Sequence, residues 1–284
     1  MSMKPMDNVK KWLDRICGPD SEKVLFEEEK KEWDGLTETE RKRYLEELLT
    51  KPVLFENPAV IYFWYFRTKW ADALKLLHDS SSISVLEIGA GGCDIVPKTI
   101  SKTYDADSEY VTANLNKELS SILKAITQNL PINICIIEDD AQRIEDYAEE
   151  NSFDVIVFEH SVNDVIENLL ASKNNIDTIN TSWMEVLPSI SEIVNREYKG
   201  NTYEENAKKE FLEIISSCLS VLKPGGYIAC CHYQFQYNLD IGLDPYLNEN
   251  ILNIVRKWIA EAGLGTEVFF DGFDSQYWMF IKKS

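Results

Sequence analysis

Apolar and polar positions change rhythm once along this chain, near residue 80. Before that point the spacing is helical. Tyr44, Leu45, Leu48 and Leu49 recur at the intervals of one helix face, and Thr37 stands three residues before Glu40, as in a capping box. Lys51-Pro52 predicts the end of that helix. Asn57-Pro58 predicts the start of the next, as N-cap and first helical residue. The segment PAVIYFWYFRTKWADALKLL is apolar almost all the way round and carries Tyr62, Phe63, Trp64, Tyr65, Phe66 and Trp70, which predicts cover on more than one side. HDSSS at residues 78–82 marks a boundary, so residues 1–80 are expected to form a helical cap and 81–284 a second unit.

Beyond the boundary, short apolar runs alternate with helical patterns. Strands are expected at residues 84–88, 110–113, 133–138, 153–158 and 227–233, with helices near 96–102, 117–128, 143–149, 206–222 and 249–262. That alternation predicts an α/β unit with a parallel sheet covered by helices on both faces. TEVFFDGF and QYWMFIKK, separated by a short turn, predict a closing antiparallel hairpin. One interval is too long for a simple connection: an insertion at about 168–206 has helical patches and no strand pattern, as expected of a lid or substrate wall.

Composition narrows the function classes. The formal charge of −19 opposes phosphate backbones and anionic headgroups, so neither nucleic acid nor a membrane surface is an expected partner. The amino terminus MSMKPMDNVKKWLD lacks the apolar stretch of a secretion signal, and the six cysteines show no CxxC or zinc-like spacing. Free thiols in a reducing cytoplasm are the expectation. The sequence leaves the oligomeric state open.

The stretch VLEIGAGGCD, an apolar run ending in an acid and a glycine turn, predicts a nucleotide site at a strand-to-helix junction. A P-loop would require Gly-Lys-Ser/Thr after the glycines, where Gly92-Cys93-Asp94 stands. The dinucleotide fingerprint would place glycine at Asp94 and an acid at Asn114, and both positions differ. LEIGAGGC instead resembles the first motif of the Rossmann-like, class I S-adenosylmethionine (SAM)-dependent methyltransferases. YVTANLN, IIEDDAQRI, FDVIVFEHSV and CLSVLKPGGYIACC resemble that superfamily's later segments in order and spacing.

The resemblance covers about residues 82–284 and implies a Rossmann-like, seven-stranded, mostly parallel sheet. It implies SAM as cofactor, with S-adenosylhomocysteine as product, held by Glu87, Gly89, Ala90, Gly91, Asn114, Leu115, Asp140, Ala141 and Glu159. Asn114 replaces the usual ribose-binding acid. An acidic rim that also includes Asp94 suits a cationic sulfonium better than a diphosphate.

Two of the three histidines stand at strand ends on the ligand-binding side: His160 follows the fourth strand and His232 ends the fifth. His160 is expected as general base, oriented by Asp164 or Glu159, with His232 binding substrate. Trp183, Tyr198, Tyr203 and Tyr233 are expected to shape the acceptor pocket, and no metal is expected. The expected activity is methyl transfer to an O or N atom of a small molecule. A protein side-chain methyltransferase and a catalytically silent SAM-binding protein are the alternatives.

Overall fold

The computed structural model describes residues 5–50 and 58–283. Four helices come first: α1 (Pro5–Arg15), α2 (Glu27–Gly35), α3 (Glu38–Thr50) and α4 (Ala59–Leu77). The capping box at the start of α3 forms as the sequence predicts. The Glu40 amide donates to Thr37 Oγ1 at 3.3 Å, and the Thr37 amide donates back to Glu40 Oε2 at 2.9 Å. The predicted stop at Lys51-Pro52 and the N-cap at Asn57 lie outside the described residues.

Next come β1 (Ser84–Ile88), α5 (Ile95–Thr103), β2 (Glu109–Ala113), α6 (Lys117–Thr127), β3 (Asn133–Ile137) and β4 (Phe153–Glu159). After them the chain forms α7 (Val162–Lys173), α8 (Trp183–Lys199), α9 (Tyr203–Val221) and β5 (Leu222–Cys231). It closes with α10 (Gln236–Asp240), α11 (Pro245–Ala262), β6 (Thr266–Val268) and β7 (Trp278–Lys282). The seven strands lie in the order β3-β2-β1-β4-β5-β7-β6. The first five are parallel and β7 runs antiparallel to both its neighbours. This is the Rossmann-like α/β sheet with a terminal antiparallel pair that the sequence led us to expect.

Three local expectations change, the first being the fifth strand, which runs over Leu222–Cys231 and not 227–233, so that His232 lies just past its end. The helix expected near 143–149 is a 3₁₀ segment at Ala141–Asp146, opened by Asp140, whose Oδ1 accepts from the Gln142 amide at 2.9 Å. The link between β6 and β7 is not a short turn but residues 269–277.

Side chains alternate along the inner strands, so each strand feeds two cores. Leu86, Ile88, Ile156, Phe158, Ile228 and Cys230 join the core under α7, α8, α9 and α11. Val85, Val155, Val157, Ala229 and Cys231 face the other way and merge with Trp12, Ile16, Trp33, Leu45, Trp64 and Trp70 of the N-terminal helices. Those helices therefore share one continuous core with the sheet. No helix among the described residues is long and apolar enough to cross a membrane.

Candidate active site

A cavity of about 570 Å³ opens at the carboxyl ends of β1, β2 and β4, next to the β1–β4 junction where the strand order reverses. Its floor is the turn of residues 89–93. Gly89 and Gly91 have φ of +70° and +58°, the left-handed conformation that glycine adopts without a Cβ clash. A Cβ on Gly89 would also stand 3.2 Å from that of Ser161. The turn is pinned by Asn114: its Oδ1 accepts from the Gly91 amide at 3.2 Å, and its Nδ2 donates to the Gly91 carbonyl at 2.9 Å.

Of the residues expected to hold cofactor, Gly89, Ala90, Gly91, Asn114, Leu115, Asp140, Ala141 and Glu159 line this cavity. Glu87 does not. Its side chain projects from β1 toward the N-terminal helices, is 2% exposed, and accepts a 2.5 Å hydrogen bond from the Tyr110 hydroxyl. Burial pushes its carboxyl well above the usual range, and the nearby Glu159 adds to the effect. Asp94 also leaves the rim: it pairs with Arg67 at 3.2 Å and Lys98 at 3.0 Å.

His160 and Asp164 line the cavity together. His160 directly follows β4, with its amide donating to the Cys231 carbonyl at 2.9 Å and its φ at +54°. That backbone conformation is costly for a residue with a Cβ and recurs at functional sites. Its Nδ1 donates to Glu159 Oε1 at 2.7 Å, while Glu159 Oε2 accepts from Trp70 Nε1. A proton held on Nδ1 leaves Nε2 as the basic nitrogen, and Nε2 is buried with no partner. Phe66 and Phe235 pack on the imidazole at centroid distances of 4.8 and 4.7 Å. Cys231 Sγ lies within 4.8 Å of ligand atoms on Glu159 and His160. Burial and Glu159 hold that thiol well above its usual range, so it keeps its proton and stays a neutral thiol.

His232 sits behind this pair, 3% exposed and 6.4 Å from the His160 ring centre, and does not line the cavity. Its Nε2 donates to the Asn248 carbonyl at 3.0 Å, which ties the end of β5 to α11. Burial, with His160 nearby, lowers it to about 3, so its imidazole is neutral. Trp183 reaches the cavity, beside Met184. Tyr198, Tyr203 and Tyr233 stand apart from it. Tyr203 packs between Tyr198 and Trp258, joining α8, α9 and α11, and Tyr233 stacks on Tyr277 at 4.5 Å.

Sequence reasoning missed Tyr62, Cys93, Asn168 and Thr178, which also line the cavity. It missed two buried polar residues behind Asp164 as well: Asn163 and Glu167, at 8% and 4% exposure. A readable signal existed for these. In HSVNDVIENLLASK, polar residues at 163, 164, 167 and 168 share the helix with apolar residues at 165, 166, 169 and 170, so part of the polar set must be covered.

No protein-family model matches the chain, and no curated protein matches it in sequence. Solved structures do resemble it. A candidate SAM-dependent methyltransferase from Methanococcus maripaludis is 15% identical, with 78% of this chain and 87% of that one covered and a TM-score of 0.49. A SAM-dependent methyltransferase from Aquifex aeolicus is 13% identical over 99% of this chain and 98% of that one, at a TM-score of 0.45. One from Methanosarcina mazei is 13% identical over 72% and 92%, at 0.38.

Proposed function

We propose that this protein is a SAM-dependent methyltransferase acting on an O or N atom of a small-molecule acceptor. One observation carries the reading. The cavity wall bears Asp139, Asp140, Glu159 and Asp164 around a tight glycine turn, and no lysine or arginine lines it among the described residues. A dinucleotide would bring its diphosphate to these carboxylates without a countercharge. A sulfonium brings a positive charge instead.

The residues present fit that group. Gly89 and Gly91 leave room for close backbone approach, and Leu115 and Ala141 offer apolar walls. Asp140 caps the 3₁₀ segment with one oxygen, which leaves the other for an amino or hydroxyl group. The cofactor supplies an electrophilic methyl group on a sulfur that leaves neutral. The chain's part is positioning, exclusion of water and proton removal. His160 Nε2 takes the acceptor's proton, and Glu159 steadies the resulting imidazolium through Nδ1. Tyr62 and Trp183 close the walls near them, with residues 1–80 as a cap and the insertion as a lid.

Calorimetric titration of the full chain tests the reading. SAM and S-adenosylhomocysteine should bind saturably and NADH should not; the reverse pattern would overturn the proposal. His160→Asn keeps a residue that tolerates positive φ. It should hold S-adenosylhomocysteine within about threefold of the parent while turnover falls about 10²-fold or more, the usual worth of a general base.

A further inference from the structure

At the cavity wall and just behind it, the first two turns of α7 place three polar side chains with no cation among them. Asn163 Nδ2 donates to Asp164 Oδ1 at 2.7 Å and to Glu167 Oε1 at 3.4 Å, so the amide bridges the two carboxyls. Neither carboxyl takes part in a salt bridge among the described residues, although nearly every other buried acid here has a donor of its own: Glu29 and Asp94 have Arg67 and Lys98, Glu87 has Tyr110, and Glu159 has Trp70 and His160. Glu167 Oε2 and Asn163 Oδ1 are buried without any partner. The amide oxygen is an acceptor, and the carboxyl oxygen is one whenever Glu167 is ionised. His160 Nε2, on the same cavity wall as Asp164, is a third unpartnered acceptor.

A buried group of acceptors without donors is costly unless something donates to it. The surrounding chemistry favours one kind of donor. Aromatic rings gather beside His160, with Tyr62 against Phe66 at 4.6 Å and against Phe235 at 6.2 Å, and ring faces attract cations. A neutral hydroxyl would satisfy one acceptor and leave the charge uncompensated. An ammonium has several donors and a charge to match.

We propose that the cavity end formed by Asp164 and His160, with Glu167 and Asn163 behind, is a binding site for an organic ammonium group, so that the methyl acceptor is an amine-bearing small molecule. This rests on the methyltransferase reading for the word acceptor, but the ammonium site stands on its own geometry. Before the cation arrives, burial lets the pair retain part of its protons at neutral pH. Burial raises Asp164 to about 7, against the pull of His160, and raises Glu167 to about 8 with Asp164 beside it. Tyr203 is the other titratable group near Glu167, and burial keeps it neutral.

The test uses the full chain loaded with S-adenosylhomocysteine and two probes of one shape, benzylamine and benzyl alcohol. Calorimetry at pH 7.5 should show benzylamine binding about tenfold more tightly than the alcohol, the scale of one charged hydrogen bond. Repeating the titration in two buffers of different ionisation enthalpy should show proton release from the protein. Asp164→Asn should abolish the preference for the amine, and Asp164→Glu should retain it, which separates loss of charge from loss of folding. Equal affinity for the two probes, or an amine preference that survives both Asp164→Asn and Glu167→Gln, would overturn the proposal. So would a loss of S-adenosylhomocysteine affinity in Asp164→Asn as large as the loss for benzylamine, because the carboxyl would then serve the cofactor. If the parent chain does not bind S-adenosylhomocysteine, the methyltransferase reading fails, and the same probes on the unloaded chain still decide the ammonium site.

Discussion

The carboxamide of Asn114 meets Gly91 with both ends, one accepting and one donating. Only an amide can do this, since a carboxylate would set a second acceptor against the Gly91 carbonyl at the 2.9 Å now spanned by Nδ2. The residue therefore holds the floor of the cavity in its left-handed turn before any ligand arrives. The motif pattern places an acid here and so implies that Asn114→Asp should tighten cofactor binding. The geometry implies the opposite. We expect S-adenosylhomocysteine affinity to fall about tenfold in Asn114→Asp, in line with the 1–3 kcal/mol cost of opposing two buried acceptors. Titration calorimetry checks this, and a variant that binds as tightly as the parent would assign Asn114 to the ligand and not to the turn.

Between elements, a buried ion network runs from α2 through α4 to α5. Arg67, fully buried on α4, reaches Glu29 at 2.6 Å and Asp94 at 3.2 Å, and Lys98 on α5 approaches the same two acids at 3.4 and 3.0 Å. Burial alone would raise Glu29, but hydrogen bonds and charge from Arg67 hold it below its usual value. Because Asp94 ends the glycine turn, the N-terminal helices α2 and α4 and the cavity floor share one ion network. Removing one partner of a buried set strands the others. Arg67→Met should cost about 3 kcal/mol or more, read by urea unfolding, and Glu29→Gln added to it should cost much less than it does alone. Additive costs would mean that the pair is not coupled. None of this was visible in the sequence, where Glu29, Arg67 and Asp94 are widely spaced charges with no local pattern. The strands were visible, because runs such as SVLEI are short, apolar and bounded by polar turns, a length too small for a buried helix. The same property hid the direction of Glu87. A strand buried on both faces shows no alternation of apolar and polar residues, so the face an acid takes is set only by its neighbours, here Tyr110. The rings of Tyr198 and Tyr203 serve the packing of α8 and α9 on α11, a long-range contact that no local pattern in the sequence announces.

At the scale of the whole molecule, the buried groups near the cavity should set how stability responds to pH. Asp164 and Glu167 bind protons more tightly in the folded chain than in the unfolded one, at about 7 and about 8. Their stabilising share is complete below the ordinary carboxylate range and is lost as pH rises through 7 and 8. His232 acts in the other direction. Lowered to about 3, it costs stability only below its unfolded value near 6.5, as acid protonates the unfolded chain. Between pH 6.5 and 8.5 the carboxyls therefore act with little interference from His232. Each proton retained by the folded state but absent from the unfolded one makes stability fall by about 1.4 kcal/mol per pH unit. The net charge of −19 adds self-repulsion, but salt screens exposed charges and leaves buried ones nearly untouched. Urea unfolding in 0.5 M NaCl across that window should show the unliganded parent losing stability as pH rises. The Asp164→Asn, Glu167→Gln double variant should decline less steeply, with Glu87 supplying the remaining slope, and exceed the parent at pH 8.5. An equal slope in parent and variant would place the lost protons elsewhere in the molecule and remove the carboxyl pair as the source.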